Sequence, residues 1–270
     1  MRRAEYLVIR VVLMLFFAVA SMDATAESVL VAAASSLRTV WPNLAEQYAK
    51  DTGEPLPRVS FASSGLLTTQ IRNGAPFELF LSADQLTVQK LQTLGKTRLQ
   101  SVEFATGTLQ LATLSNSSVA HQLSMTTIAT RLSEQRRETG DAYDKLRITM
   151  PNPLHAPYGI AAQQALQNFG QWPVPEGQLL AAENAAQTLQ FLNTGAVDIA
   201  FVPKALLLGA QHELVIADID TELYHPVAHT MTLLARPSES ADALFYWIQS
   251  AQAQQILLQH GFAPGQAVSD

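Results

Sequence analysis

The sequence predicts an α/β protein in which mostly parallel strands form mixed sheets flanked by helices. The chain has 270 residues, of which 48% are hydrophobic and 15% are charged, so it can bury a sizeable core and lacks the composition of a disordered protein. Short apolar runs along the chain are each followed by a polar turn and a helical pattern of apolar residues. Strands that alternate with helices are typical of parallel sheets with right-handed crossovers.

Three strand–turn–helix units follow one another in the first part of the chain. The predicted strands are Val29–Ala32, Val59–Ala62 and Leu79–Leu81. The helices that follow them end at Gly53, at Asn73-Gly74 and at Gly95. Pro42 lies within the first helical pattern, so we expect it to kink that helix or delay its start.

The same alternation continues in the second part of the chain, with longer irregular pieces between the elements. Further strands are predicted at Thr108–Thr113, Arg147–Met150, Val197–Val202 and Ala228–Leu234. Further helices are predicted at Gly159–Phe169, Ala185–Leu192 and Ala241–His260. Residues 115–145 are polar and show little pattern, so we expect surface helix and loop there.

The first 26 residues have the three parts of a secretory signal peptide. Arg2, Arg3 and Arg10 are basic, an apolar run extends over 11–20, and Ala24-Thr25-Ala26 is a small-residue cleavage site. The apolar run is far shorter than the roughly 20 residues that a membrane-spanning helix needs. We therefore expect cleavage after about Ala26 and a soluble periplasmic protein.

Composition and motifs argue against several functional classes. The formal charge of -6 and the pI near 5.5 disfavour nucleic acid and anionic membranes as partners. The absence of cysteine excludes thiolate metal sites and a cysteine nucleophile, and no serine-hydrolase, metalloprotease or phosphate-loop motif occurs. His225 and His229 are interpreted as a surface pair, and His155 as a solvated loop histidine, rather than as metal or ligand contacts. The residues therefore give the enzyme hypothesis no positive support.

Serine stands at the junction of strand and helix in three units, at Ser36, Ser64 and Ser82. In an open parallel sheet, helix N-termini gather outside the carboxyl ends of the strands, where ligands bind. Their unpaired N–H groups and partial positive charge attract anions. A serine there either caps its own helix or adds its hydroxyl to a bound anion, and spacing alone favours the cap for any single serine.

Several motifs, in their order along the chain, are similar to those of the periplasmic molybdate-binding proteins of ABC transporters. The most specific is G-A-P-x-x-L-F-x-S-A-D at residues 74–84. The others are Val31–Leu37, Phe61–Gly65, Pro151–Pro153, His155–Gly159, Ala182–Asn184 and His260–Phe262. The resemblance covers nearly all of the chain after the signal peptide. It implies a two-lobed periplasmic binding protein fold with two crossing hinge strands that closes around a tetrahedral oxyanion.

The resemblance also implies how the chain is divided and what it does. After a signal peptide at residues 1–26, lobe 1 comprises residues 27–107 and 227–270, and lobe 2 comprises residues 108–226. The implied function is capture of molybdate, and also tungstate, for delivery to an inner-membrane ABC permease, by a monomer without cofactor or nucleic-acid partner. Three alternatives stay open, namely another cargo such as sulfate or an organic anion, an exported hydrolase with a histidine beside a junction serine, and a sensor that docks on a membrane receptor.

Carried over residue by residue, the family's anion-binding serines fall on Ser36, with Ser35 beside it, and on Ser64. Its backbone donors from lobe 2 fall on Tyr158 and Ala185. Such a pocket suits molybdate, because at neutral pH this dianion accepts hydrogen bonds and donates none.

One position departs from the family pattern. Pro203 stands where many members have a tyrosine whose hydroxyl contacts the anion, and proline has neither a hydroxyl nor an N–H group. The Tyr158 hydroxyl is a candidate replacement, with a half-exposed loop tyrosine as the alternative interpretation. We expect Ser82 to cap its helix and shape the pocket.

Overall fold

The computed structural model describes residues 28–98, 101–137, 145–210 and 213–265; the predicted signal peptide lies outside them. The strands are β1 (Leu30–Ala34), β2 (Arg58–Ala62), β3 (Leu79–Ser82), β4 (Val102–Gly107), β5 (Leu109–Leu114), β6 (Ile148–Pro151), β7 (Leu179–Ala182), β8 (Ile199–Pro203), β9 (Leu214–Asp218), β10 (Val227–Leu233) and β11 (Ala263–Pro264). The α-helices are α1 (Trp41–Thr52), α2 (Ser64–Arg72), α3 (Gln85–Thr93), α4 (Met125–Arg137), α5 (Pro157–Asn168), α6 (Ala185–Asn193), α7 (Lys204–Leu207), α8 (Glu239–Ile248) and α9 (Ala251–Gln259). Short 3₁₀ helices are η1 (Ser35–Leu37), η2 (Ala120–Gln122) and η3 (Thr221–Leu223).

The strands form two mixed sheets. The first has the order β11-β4-β10-β3-β1-β2, with β1 parallel to β2 and β3, and β10 antiparallel to β3 and β4. The second has the order β7-β6-β8-β5-β9, with β6 parallel to β7 and β8, and β5 antiparallel to β8 and β9. The parallel pairs are those that the alternation of strands and helices predicts.

Each sheet is the centre of one lobe, and helices cover both of its faces. Successive side chains of a strand point to opposite faces. Val31 of β1 therefore packs with α1, α8 and α9, while Ala32 packs with α2 and α3. In the second sheet Leu111 faces α4 and α5, whereas Ala112 faces α6 and α7. No helix in the described ranges is long and apolar enough to cross a membrane.

The chain crosses between the two sheets twice. It passes from β4 to β5 at residues 107–109, and it returns from β9 to β10 through residues 219–226. The Leu109 N–H donates to the Tyr224 hydroxyl at 3.0 Å, which joins the two crossing segments. A Cβ on Gly107 would lie 1.9 Å from the Tyr158 hydroxyl oxygen, so glycine lets α5 lie against the first crossing.

All predicted strands and helices are present with small shifts of their ends. The expected effect of Pro42 on the start of α1 is confirmed, and two other regions differ from the predictions. Helix α1 starts only at Trp41, because Pro42 lies in its first turn, where a missing N–H costs nothing. The predicted helix over 241–260 is two helices, since Ser250 caps a new one. The pattern-poor region contains α4, whose Ile128 and Leu132 are fully buried. Strands β4, β7, β9 and β11 are additional to the prediction.

Candidate anion-binding site

A small cavity lies between the lobes, where the carboxyl ends of β1 and β2 meet the segments that follow β6 and β7. It is lined by Ala34, Ser35, Ser36, Ala62, Ser63, Ser64, Ala83, Ala156, Pro157, Tyr158 and Ala185. The five residues that the sequence predicts for the site are therefore brought together, and none of these described lining residues carries a charge. The cavity measures about 10 Å³, on the scale where one water needs about 10–15 Å³. A larger ligand requires the lobes to move apart.

The helices that begin at this cavity leave their first N–H groups without an acceptor inside the helix. Within the described residues, no side chain caps η1, α2 or α5. At α6 the Asn184 side chain accepts from the N–H groups of Ala186 and Gln187, while the Ala185 N–H donates to the Ser35 hydroxyl at the cavity. The first turns of α2 and α5 contain Ser64 and Tyr158. Helices of both lobes thus begin at the same cavity.

Two of the serine hydroxyls are arranged to donate. The Ser64 hydroxyl oxygen accepts from the Ala83 N–H at 2.9 Å, and that of Ser35 accepts from the Ala185 N–H at 3.1 Å. A hydroxyl has one proton and two lone pairs, so each of these groups keeps its proton for another partner. Both side chains are buried, and the proton is therefore available to an acceptor in the cavity.

The third serine contacts a histidine. The Ser36 hydroxyl oxygen lies 2.9 Å from Nε2 of His229, whose Nδ1 lies 3.1 Å from the Val227 carbonyl oxygen. Burial lowers the pKa of His229 to about 4, against a smaller opposite effect of the hydrogen bond to Val227. His229 is therefore neutral near pH 7.

The interpretation of His225 and His229 as a surface pair is wrong for His229. His225 is exposed, but His229 is completely buried, because β10 lies between β3 and β4 inside the first sheet. Its ring contacts the rings of Phe104, Tyr158 and Phe262.

His155 connects the two lobes beside the cavity. Its Nδ1 lies 2.9 Å from the Ser63 hydroxyl oxygen, and its carbonyl accepts from the Gly65 N–H at 2.9 Å. A Cβ at Gly65 would lie 2.8 Å from both Cβ and the carbonyl oxygen of His155. The interpretation of His155 as a solvated loop histidine is therefore wrong, since it is half-buried against the other lobe.

The Tyr158 hydroxyl lies beside Gly107 of the first crossing segment. It is buried without a hydrogen-bond partner among the described residues, and burial raises its pKa. It lies beside Gly107 and the His229 ring, and neither residue is among those that line the cavity. The alternative interpretation of Tyr158 as a half-exposed loop tyrosine is wrong, because the residue is 2% exposed. Pro203 ends β8, where it pairs with Leu109.

Ser82 does not cap helix α3, contrary to the prediction. The cap is Asp84, whose carboxylate accepts from the Thr87 N–H at 2.6 Å. Ser82 is the last residue of β3, and its hydroxyl oxygen instead lies 2.6 Å from the Thr87 hydroxyl. Burial raises the pKa of Asp84, against the opposite effect of its hydrogen bonds from Thr87.

A wider cleft of about 280 Å³ forms the outer part of the space between the lobes. It shares Ala83 and Pro157 with the inner cavity, and it contains the side chains of Asp84, Lys90 and His225. This cleft places an acidic side chain beside a basic one, whereas the inner cavity is lined by neutral residues that include serine hydroxyl donors, so the inner cavity is the better candidate site for a dianion. Among the described residues, no group of three or more His, Asp or Glu side chains could hold a metal ion.

Two α/β lobes that are joined by crossing segments and enclose a cavity of neutral donors define the class of solute-binding proteins. The chain belongs to the bacterial extracellular solute-binding protein family, whose model matches residues 29–263. The molybdate-binding protein ModA of Azotobacter vinelandii is 30% identical over 88% of this chain and 91% of its own. ModA of Escherichia coli K12 is 26% identical over 92% and 94%. The solved periplasmic molybdate-binding protein of A. vinelandii superimposes with a TM-score of 0.76, at 25% identity over 88% of this chain and 100% of that one.

These relatives are binding proteins, so the chain is not an enzyme and the hydrolase alternative is wrong. The structure does place a histidine beside Ser36, as that alternative requires. The histidine is oriented by the backbone carbonyl of Val227 and is completely buried among aromatic rings. A group in that environment is not exposed to a substrate.

Proposed function

We propose that this protein is the substrate-binding component of an ABC importer, and that it captures molybdate, and also tungstate, for delivery to an inner-membrane permease. The observation that carries the proposal is the cavity between the lobes, where buried serine hydroxyls of lobe 1 meet the starts of α5 and α6 of lobe 2, and which has no charged lining residue in the described ranges. The names of the relatives support the choice of anion.

The donors that we assign to the anion are the hydroxyls of Ser35, Ser36 and Ser64 and the backbone N–H groups of Tyr158 and Ala185. Hydrogen bonds to a charged group contribute about 1.5–3 kcal/mol each, so a few of them give tight binding. Neutral donors also avoid a buried cation that would be unpaired before the anion enters. A protonated anion such as hydrogen phosphate is disfavoured, because no carboxylate lines the described cavity to accept its proton.

Entry of the anion requires a rearrangement between the lobes. The Ala185 N–H is donated to Ser35, so an anion oxygen has to replace the Ser35 oxygen as its acceptor. The cavity also has to widen, which the crossing segments at 107–109 and 219–226 permit by acting as hinges. This supports the division into lobe 1, residues 27–107 and 227–270, and lobe 2, residues 108–226.

We propose further that residues 1–26 are removed during export and that the mature protein acts in the periplasm as a monomer. Its negative charge supports the absence of a nucleic-acid partner. The neutral cavity supports a ligand that is bound as a whole anion, with no cofactor and no side chain that coordinates the molybdenum itself.

The test is calorimetric titration of the mature protein, purified from the periplasm of an expression host and stripped of bound anion. Molybdate, tungstate, sulfate and phosphate are titrated separately. We expect nanomolar to low-micromolar binding of the first two and no heat from sulfate or phosphate. Sulfate has the same charge and shape as molybdate but is smaller, so the comparison measures how strictly the cavity selects by size.

The other outcomes identify which part of the proposal fails. Heat from sulfate or an organic anion, without heat from molybdate, would mean that the cargo differs and would point to Pro203 as the departure that changed it. No heat from any of these anions, in protein whose folding is verified by circular dichroism, would overturn the binding function.

A further inference from the structure

The protonation of His229 follows from its two polar contacts. A backbone carbonyl only accepts hydrogen bonds, so Nδ1, at 3.1 Å from the Val227 carbonyl oxygen, carries a proton. In a neutral imidazole the other nitrogen then has a lone pair. Nε2 therefore accepts the hydrogen bond at 2.9 Å, and the Ser36 hydroxyl is its donor.

This arrangement turns the Ser36 proton away from the anion site. With its proton on the histidine side, the Ser36 hydroxyl presents only lone pairs to the cavity. An oxyanion also presents only lone pairs, so the two repel each other. If Ser36 rotated to donate to the anion, Nε2 would be left buried and unpaired, which is unfavourable. Ser35 and Ser64 have no such conflict, because each hydroxyl accepts a hydrogen bond from a backbone N–H and keeps its own proton for the anion. For Ser35 the proton stays available when the anion replaces it as the acceptor of the Ala185 N–H.

A second proton on His229 removes the conflict. Both ring nitrogens then donate, Nδ1 to the Val227 carbonyl and Nε2 to the Ser36 oxygen. The Ser36 proton is released toward the cavity and can be donated to the anion. We propose that His229 is a positioning residue of the anion site, whose protonation turns the Ser36 hydroxyl toward the anion, so that binding of the dianion takes up a proton. The inference rests on the proposed oxyanion-binding function.

The surroundings of His229 are mainly apolar. Three aromatic rings face it, from Phe104 of β4, Tyr158 of α5 and Phe262 near the C-terminus. The Tyr158 hydroxyl is the titratable group on the rings. The charged or titratable side chains on the elements packed around β10 and its ring neighbours are Glu103 on β4, Lys90 on α3, Glu239 and Asp242 on α8, Arg38 after η1, Lys204 on α7 beside Gly261, and His260 at the end of α9.

This environment makes the neutral form dominant before the anion binds. With a pKa of about 4, His229 is charged in about one molecule in a thousand at pH 7. A dianion hydrogen-bonded to Ser36 attracts that charge and raises the pKa of His229 in the complex. The anion therefore binds more tightly as the pH falls through the pKa of the complex, and this gain is lost as the pH rises above it.

The test is calorimetric titration of the mature wild-type protein with molybdate, and separately with tungstate, at several pH values from about 6 to about 8. At each pH the titration is repeated in buffers with different ionisation enthalpies, which gives the number of protons taken up. We expect uptake that approaches one proton per anion at the lower pH, and an affinity that increases by up to about tenfold per pH unit.

His229→Gln is the informative variant, because an amide N–H can donate to the Ser36 oxygen and does not titrate. We expect it to bind molybdate with an affinity that is flat over this pH range and with no proton uptake. His225→Gln is the matched control, since His225 is exposed and four residues away. We expect it to keep the proton uptake of the wild type.

Wild-type protein alone decides the question if His229→Gln does not fold. Nitrogen-15 NMR of the histidine rings should show one deeply buried, neutral ring without anion and a doubly protonated ring after molybdate is added. Molybdate binding with no proton uptake and a neutral ring in the complex would overturn the role of His229 alone. No molybdate or tungstate binding at any pH would overturn the proposed function together with this inference.

Discussion

The N-termini of the helices in this protein fall into two groups. Away from the anion cavity, α3, α8 and α9 begin with Asp84, Ser238 and Ser250, whose side chains accept N–H groups of the first turn at 2.6, 3.2 and 3.2 Å. At the cavity, no side chain of the described residues does this for η1, α2 or α5. Serine stands at the start of helices in both groups, so the residue type alone does not distinguish them.

The difference separates helix starts that stabilise the fold from those that are available to a ligand. A side-chain cap contributes about 0.5–2 kcal/mol to stability, and η1, α2 and α5 at the cavity forgo it. Helix α6, which also begins at the cavity, keeps a cap from Asn184, but its Ala185 N–H donates to the Ser35 hydroxyl of the other lobe. One of the uncapped helices is completed by the opposite lobe instead, since the Gly65 N–H in the first turn of α2 donates to the His155 carbonyl. Helix α1 also lacks a side-chain cap in the described structure, but Pro42 removes one of the donors there.

The largest effect on affinity is expected from Gly65→Ala, which disrupts the hydrogen bond from the first turn of α2 to the His155 carbonyl of the other lobe. The new Cβ would lie 2.8 Å from the carbonyl oxygen and Cβ of His155, so the lobes cannot approach as closely. Overpacking and the loss of the hydrogen bond together cost about 2–4 kcal/mol, which is about 30- to 1,000-fold in affinity.

Calorimetry with molybdate measures this loss, and Leu66→Ala is the control. Leu66 is the next residue of the same helix turn and is 36% exposed, so its truncation should change the affinity by less than about twofold. Alanine at position 65 favours the helix itself by about 1 kcal/mol. Unchanged affinity in Gly65→Ala would show that the contact with His155 is not part of the bound state.

The next largest effect on affinity is expected from replacing a serine at the cavity, and a serine that caps a helix away from the cavity serves as the comparison. Ser64→Ala removes a hydroxyl whose lone pair is occupied by the Ala83 N–H and whose proton is assigned to the anion. We expect molybdate binding to weaken by about 1–3 kcal/mol, or about 5- to 150-fold. Ser250→Ala removes the cap of α9 and should lower the free energy of unfolding by about 1 kcal/mol without a change of affinity. Titration and denaturant unfolding of both variants test the contrast, and a loss of affinity in Ser250→Ala with none in Ser64→Ala would reverse the assignment.

The sequence predicts the fold because the fold depends on local patterns, while the candidate site residues come from the resemblance to a known family. Alternating apolar runs and helical spacing identify the elements, and the serines at the junctions mark the carboxyl ends of β1 and β2. Strand β7 has no such signal, since Leu180 and Ala181 are exposed. The break before α9 does have one, because Ser250 is a favourable cap residue.

Contacts between distant residues could not be predicted from these patterns. His229 is 193 positions from Ser36, and its burial depends on β10 lying inside the sheet, so spacing alone suggests a surface residue. The contact between Ser63 and His155 spans 92 positions and depends on how the two lobes approach each other. The cap of α3 does have a local signal in the sequence, because Asp84 directly precedes the helix, whereas Ser82 ends the strand.

The smallest effect on affinity is expected from Tyr158→Phe. Tyr158 lines the cavity, but its hydroxyl lies beside Gly107 and the His229 ring rather than among the cavity residues. The hydroxyl is buried without a partner among the described residues. We assign only its backbone N–H to the anion, so molybdate affinity should change by less than about twofold. Because a buried, unpaired hydroxyl is unfavourable, the free energy of unfolding should stay the same or rise by about 1 kcal/mol.

Tyr224→Phe is the matched control for this variant, since both tyrosines lie at the crossing segments. The Tyr224 hydroxyl accepts from the Leu109 N–H at 3.0 Å, so its removal leaves that N–H unpaired and should cost about 1–3 kcal/mol of stability. Calorimetry and denaturant unfolding of the two variants measure the difference. A tenfold or greater loss of molybdate affinity in Tyr158→Phe would mean that the hydroxyl reaches the anion when the lobes move, and that it replaces the donor that Pro203 lacks.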